Sequence, residues 1–376
     1  MSALQTVSEA AMLPVSLVRG QGAQIWDSDG RSYWDFYGGH AVALLGQGHP
    51  RWVEAIRTQA ETLSFVTTVA PTPIRDQAVD VLCRFTGMDQ AFLVNSGAEA
   101  NEAALKVARK STGREVVVAM ESGFHGRTMA CLGVTHAGHY RTDHAPTHGA
   151  VRFAPYGDLA ALQAQMGPDV AAVLIEPIQG IAGVIPAPAG FLAGARALCD
   201  AHGARLILDE IQTGIGRTGV PLACRADPMV RPDLVTVGKS LGAGFPVAAL
   251  LLTDAMAATT RPGEHGSTFG GGPLACAAVH ATISTIAEEG LLECALAIEA
   301  DLRGRTLPGV VDIRGAGCLL GLVLDRPARP VVGALLDRGI LAGTANDPHC
   351  LRLCPPAVMP AAGIDAIENA MQAVCG

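Results

Sequence analysis

Lysine is nearly absent from this chain of 376 residues. Of 27 lysine and arginine side chains, only Lys106, Lys110 and Lys239 are lysines. A chain that uses arginine for almost every cation draws attention to any lysine kept where a free amine has a use. Positive charge is not in excess either. The net charge is −8, which argues against a nucleic-acid partner, because such proteins show a basic face. No apolar run approaches the ~18 residues of a membrane-spanning helix, so no membrane partner is expected. The opening stretch MSALQTVSEAAMLPVSLVRG has no basic region followed by a long apolar core, and no secretion signal is expected. No C-x-x-C pair occurs among the ten cysteines, and Cys350 and Cys354 are the nearest pair. Scattered thiols of this kind fit a reducing cytoplasm rather than a disulfide framework. Internal repeats, low-complexity tracts and the nucleotide-binding G-x-x-x-x-G-K-[ST] signature are also missing.

What is present is an apolar, alternating chain. The hydrophobic content of 49% supports a large core, and the length suggests two or three domains. Residues 22–36, GAQIWDSDGRSYWDF, alternate around Asp29-Gly30 and read as a β-hairpin with a tight turn. Helical spacing follows at 73–85, 98–110 and 190–202. Short aliphatic runs at 89–94, 116–119, 170–175, 206–208 and 234–237 read as strands. This alternation predicts an α/β fold with a mostly parallel sheet covered on both faces. Ligands then belong beyond the carboxyl ends of the strands. The five runs are followed there by NSGAEAN, MESGFHGRT, Glu176, DEIQTGIGRTG and GKSLGAG.

Each of these ends has two readings. Asn95-Ser96-Gly97-Ala98, between a strand and a helix, is either an ordinary N-cap or an anion site built from backbone N–H groups. Lys239 lies among glycines at a strand end, where a buried amine has a lowered pKa and can form a Schiff base. Asp209 directly follows the apolar RLIL and needs a cation. That cation is either a structural salt-bridge partner or a protonated pyridine nitrogen. The loop with His136, His139, His144 and His148 matches no helical zinc spacing, and no metal is expected.

Together the motifs NSGAEANEAALKVAR, SGFHGRT, EPIQG, LDEIQTGIGRTG, VGKSLGAGFP, HGSTFGGGPLA and LRLCPP stand in the order and approximate spacing of one family. The chain resembles the class III (fold type I) aminotransferases, which use pyridoxal 5′-phosphate, along nearly its whole length. Within them it is similar to the N-acetylornithine group. It is also similar to the lysine-pathway group acting on aminoadipate semialdehyde held by a small acidic carrier protein, toward which DFYGGHAVALLG and LAGTANDPHCLRLCPP lean. The resemblance implies that Lys239 carries the cofactor and moves protons, and that Asp209 faces the pyridine nitrogen. It implies Gln212 on the phenolic oxygen, Phe124 and Ile211 on the two ring faces, and Ser96, Gly97 and Ala98 on the phosphate. Thr268 would reach the phosphate in the neighbouring subunit, which implies a homodimer with shared sites. Arg352 would bind a substrate carboxylate, and Arg127 would help position the substrate with Glu176 as its ion partner.

One position departs from the pattern. Ornithine- and acetylornithine-type members read E-P-x-Q-G-E-[GA]-G, and the second glutamate pairs with the carboxylate-binding arginine. This chain reads EPIQGIAG, with Ile181 there. An isoleucine cannot neutralise Arg352, so altered substrate handling is expected. The expected organisation is an N-terminal segment 1–40 joined to a small α/β domain 256–376, around a large cofactor domain 41–255 with a seven-stranded type of sheet. The expected reaction is transfer of an amino group from L-glutamate to the ω-aldehyde of an N-blocked amino acid, in arginine or lysine biosynthesis. An ornithine-type or other ω-aminotransferase in a secondary-metabolite pathway is the alternative. A 2,1-aminomutase or racemase, or a non-catalytic binding protein on the same fold, fits less well with Gln212, Arg352, Lys239 and Asp209 all in place. Arg141 and Arg152 are the candidates for docking an acidic carrier.

Overall fold

The computed structural model describes residues 13–136, 140 and 150–376. His139, Arg141, His144 and His148 lie outside the described residues. Three strands open the described chain as an antiparallel meander: β1 (Leu17–Gln21), β2 (Gln24–Asp27) and β3 (Ser32–Asp35). The expected turn joins β2 to β3. Gly30 takes φ +82° there, and Asp27 Oδ1 accepts from the N–H groups of Asp29 and Arg31 at 3.0 and 2.9 Å.

The middle of the chain supplies β4 (Gln90–Val94), β5 (Val116–Met120), β6 (Val151–Ala154) and β7 (Val170–Ile175). After the two-residue partners β8 (Ile178–Gln179) and β9 (Ile185–Pro186) come β10 (Arg205–Asp209), β11 (Leu234–Val237) and β12 (Ala248–Leu252). Seven of these form one sheet in the order β4-β12-β11-β10-β7-β5-β6. Every neighbouring pair is parallel except those made by β12, which runs antiparallel to β4 and β11. The sheet is thus mostly parallel, as expected. The two strands not anticipated are β6, which reads only VRFA, and β12, whose AALLL has no β-branched residue to distinguish it from buried helix.

The strands alternate between two cores. Val116, Val118, Val173, Leu206 and Leu208 face one side, where the helix Phe191–His202 packs with Ala195 and Cys199. Val117, Ala119, Leu174 and Ile207 face the other, under Ala103, Ala104 and Val107 of the helix Gly97–Thr112. Burial on both faces explains why these strands read as unbroken apolar runs.

A smaller antiparallel sheet of order β13-β14-β17-β16 follows, formed by β13 (Val310–Ala316), β14 (Leu319–Leu324), β16 (Gly343–Thr344) and β17 (Cys350–Leu353). The strand β15 (Ile340–Leu341), which precedes β16 in the chain, instead pairs in parallel with β3, joining the two ends of the chain. The helix Pro273–Glu288 packs against Pro50–Thr62 and Pro73–Thr86, so it sits with the elements before residue 255. No helix among the described residues is long and apolar enough to cross a membrane.

Candidate active site

Strand register brings the charges together. Leu208 of β10 pairs with Ile175 of β7, and Asp209 pairs with Thr236 of β11. Asp209 and Glu176 therefore leave the sheet side by side, and Lys239 follows two residues beyond β11. Asp209 is only 4% exposed. Its Oδ2 accepts from His125 Nδ1 at 2.7 Å and from Asn101 Nδ2 at 2.8 Å, and its Oδ1 accepts from the Ile211 N–H at 3.1 Å. A carboxylate only accepts, so His125 carries its proton on Nδ1. Burial opposes the Asp209 charge, but the bond and charge of His125 and the Asn101 bond outweigh it, and the carboxyl pKa is lowered. Burial likewise opposes a cationic His125, yet the bond and charge of Asp209 raise its pKa. The two form a buried ion pair (3% exposed for His125), the arrangement in which enclosed charges are tolerated.

Glu176, 7% exposed, turns inward. Burial pushes its carboxyl up to about 7, and the Asp209 charge pushes the same way. The charges of His125 and Lys239 and the Phe124 N–H, which donates to Oε1 at 2.9 Å, oppose the rise. Lys239 takes φ +43°, a left-handed conformation that costs roughly 1–2 kcal/mol for a residue with a side chain. Burial lowers the pKa of its amine, against the pull of Asp209 and Glu176.

These groups line a cavity of about 210 Å³. Gly97 and Ala98 form one end of it. There the helix Gly97–Thr112 begins, and its first-turn N–H groups have no intrahelical acceptor. Ser96 caps that helix, its Oγ accepting from the Glu99 N–H at 3.2 Å, while the Glu99 carboxylate accepts from the Asn95 N–H at 2.8 Å. Two glycines keep the wall open. A Cβ on Gly180 would overlap Gln212 Oε1, and one on Gly97 would lie 2.8 Å from Ile211 Cδ1.

The sequence that builds this cavity, with its buried acid, its amine of lowered pKa and its open helix start, matches one family over almost the full chain. The Aminotransferase class-III model covers residues 5–375. The chain belongs to the class III aminotransferases. It is 44% identical over 376 residues to the acetylornithine aminotransferase of Corynebacterium efficiens, covering 96% of this chain and 92% of that one. It is 41% identical over 366 residues to that of Myxococcus xanthus, covering 94% and 91%. Among solved structures, the ornithine aminotransferase of Toxoplasma gondii ME49 matches with a TM-score of 0.92 and 32% identity, covering 99% of this chain and 93% of that one. The acetylornithine aminotransferase of Elizabethkingia anophelis matches with 0.83 and 31%, covering 98% and 97%. A second T. gondii ornithine aminotransferase structure is described as holding PLP at partial occupancy in its active site.

As a class III member, this aminotransferase depends on pyridoxal 5′-phosphate, and the residues present fit that group. The glycine-cleared wall would admit a flat ring, the helix start would take a phosphate, and the ionised Asp209 would suit a protonated ring nitrogen. Of the residues singled out from the sequence, Gly97, Ala98 and Phe124 line the cavity, as do Asp209, Ile211, Gln212 and Lys239. Glu176 and Ile181 line it as well. Ser96 stands beside it as the helix cap. Thr268 is exposed and lies outside the cavity of its own chain. Arg352, on β17, is buried at 5% exposure.

One pairing implied by the resemblance does not occur. Arg127 is exposed, its guanidinium 5.6 Å from the Phe124 ring centroid and 4.6 Å from that of Tyr140. It makes no ion pair with Glu176, whose carboxylate is turned inward to the Phe124 N–H and the His125–Asp209 pair. Sequence reasoning also passed over His125 and Asn101. The available signals were a histidine directly after Phe124, and an asparagine on the alanine-lined face of its helix.

Proposed function

We propose that this aminotransferase moves an amino group from L-glutamate to the ω-aldehyde of an N-blocked amino acid of the N-acetylornithine type. The observation that carries the carboxylate half of this reading is Arg352. Its guanidinium is buried, and among the described residues its side-chain partner is the imidazole of His40 and no carboxylate. Its charge also acts on Lys239. A buried cation whose partner is neutral favours an anionic substrate. Full-length likeness to acetylornithine aminotransferases supports the N-blocked acceptor.

Ser96, Gly97 and Ala98 would hold the cofactor phosphate, Asp209 would face the ring nitrogen and Gln212 the phenolic oxygen, with Phe124 and Ile211 on the ring faces. Pyridoxal phosphate, when bound, supplies the electron sink that lets the Cα proton leave. Asp209 stays ionised because His125 and Asn101 hold it so. Lys239 Nζ, its proton affinity reduced by burial, takes the proton from substrate Cα. Arg352 grips the donor carboxylate, and the phenyl ring of Phe124 with Ile181 keeps water from the reacting carbon. Ile181 is fixed because its carbonyl accepts from the Asn346 N–H at 2.8 Å. The apolar side chain leaves Arg352 open in both half-reactions. Ile181→Glu should raise the KM for L-glutamate and shift the donor profile; steady-state rates with mono- and dicarboxylate donors would show an unchanged profile if the idea is wrong.

We further propose a homodimer with shared sites, in which Thr268 reaches the partner's phosphate. Exposed Phe65 and Phe269 lie together beside that loop and favour burial against a second copy. The division into 1–40, 41–255 and 256–376 is proposed with the helix Pro273–Glu288 docked on the large unit. Ten free cysteines favour a cytoplasmic setting. Likeness to acetylornithine aminotransferases favours a free small-molecule acceptor over a carrier-linked one. The test is a single half-reaction: holoenzyme mixed with L-glutamate should change its cofactor absorption band and release 2-oxoglutarate. No change would refute glutamate as donor.

A further inference from the structure

The turn before the large sheet presents one histidine to Arg352. Tyr37 N–H and Gly38 N–H donate to Asp35 Oδ1 at 3.1 and 2.7 Å. Gly38, Gly39, His40 and Ala41 then take φ of 56°, 56°, 62° and 70° in succession. Two of these left-handed residues carry side chains, which is unfavourable unless the surroundings hold them. They are held. The Ala41 carbonyl accepts from Arg217 Nη2 and from Ser240 Oγ, each at 3.1 Å. Arg217 is fully buried, and its Nη1 also donates to the Pro355 carbonyl at 2.5 Å, three residues past Arg352. The same network therefore fixes the histidine and the end of β17.

In this geometry Arg352 Nη2 lies 3.4 Å from His40 Nδ1, and His40 Nε2 is hydrogen-bonded to the Tyr37 hydroxyl. Tyr37 packs on Gly343, the residue paired with Arg352 across β16 and β17; a Cβ on Gly343 would lie 3.1 Å from Tyr37 Cδ2. With Nδ1 accepting from the guanidinium, Nε2 carries the proton and donates to Tyr37. Arg352 Nε, by contrast, is buried without a hydrogen-bond partner.

We propose that His40 is the positioning residue for Arg352, holding the guanidinium by a neutral hydrogen bond where an acidic counter-ion would otherwise hold it. This rests on the reading of Arg352 as the carboxylate receptor. A neutral imidazole restrains the guanidinium without cancelling its charge. An incoming carboxylate takes charge-assisted bonds from the guanidinium N–H groups that the imidazole leaves open, so the imidazole stays in place and keeps the fork aimed. The partner-free Nε gives the carboxylate its second donor. Affinity for carboxylates is thereby kept in both half-reactions, with no acid that must swing away.

The test uses holoenzyme and two readouts: the Kd of a non-reacting dicarboxylate, maleate, by calorimetry, and KM and kcat for L-glutamate. His40→Ala should raise Kd and KM roughly tenfold, with the change falling in KM rather than kcat. His40→Gln, which restores an acceptor, should recover most of it. A donor amine without a carboxylate should show no change in KM. If Arg352→Gln raises both constants and His40→Ala raises neither, the inference fails and the carboxylate reading stands. If Arg352→Gln also changes nothing, the carboxylate reading fails and takes the inference with it. An equal loss with every donor would show a structural role for His40 and overturn the proposal.

Discussion

At the scale of single residues, the site turns on which charges are allowed to persist out of water. Asp209 stays ionised because His125 answers it at 2.7 Å. His125→Asn should lower kcat about ten- to a hundredfold, corresponding to the ~1.5–3 kcal/mol of a hydrogen bond to a charged group. It should also change stability with pH. The His125 pKa is raised above its ordinary 6.5, so its contribution is full below that and lost as pH rises through the raised value. Asp209 is lowered from 3.8, so its contribution is present above 3.8 and lost as pH falls through the lowered value. Denaturant midpoints of wild type and variant should therefore differ most between about pH 4 and 6.5, and converge at high pH. Glu176, pushed up to about 7, changes charge in the working range, and its charge raises the proton affinity of Lys239. In Glu176→Gln the limb of the kcat profile near neutrality should disappear; a profile still bending there would assign the titration to another group.

At the scale of elements, strand ends and glycines decide whether a ring and a phosphate can enter. Gly180 and Gly97 make different demands. A Cβ at 180 overlaps the Gln212 amide, while one at 97 meets the flexible tip of Ile211. Gly180→Ala should weaken cofactor retention roughly five- to tenfold, about one hydrogen bond's worth, and Gly97→Ala should do so less. Cofactor titration of the apoprotein measures both, and the reverse order would contradict this account of the wall. Asp35 serves a different element. Buried at 1% exposure, it satisfies two N–H groups of the left-handed turn. Asp35→Ala should cost about 1–3 kcal/mol for each group left unpaired, read as a fall in the denaturation midpoint.

At the scale of the whole molecule, the cavity of one chain is lined by Asp209, Gln212 and Lys239 but leaves Thr268 outside it. The exposed pair Phe65 and Phe269, 5.3 Å apart between ring centroids, flanks that threonine. On the proposed homodimer, Phe269→Asp should shift the protein toward monomer in sedimentation velocity, with cofactor affinity falling alongside. A monomer of undiminished affinity would separate assembly from the site.

Much of the architecture was legible beforehand because it depends on local pattern. β7 and β11 fall where their apolar runs predict, since a strand buried on both faces must be apolar throughout. Placing Asn95–Ala98, Glu176, Asp209 and Lys239 at one rim needs only the rule that ligands sit beyond carboxyl strand ends. The antiparallel β12 escaped notice because AALLL has no periodicity that separates strand from helix. The partners of the charges escaped it for a different reason. His125 meets Asp209 across 84 residues, and His40 meets Arg352 across 312. The inward turn of Glu176, away from Arg127, is equally a matter of packing. Sequence by itself determined the alternation of elements and the chemistry at their ends, because both follow from short-range periodicity and residue type. Only the tertiary structure decided which acid faces which base, because a buried charge takes the partner that the folded chain brings within about 3 Å, however distant in sequence.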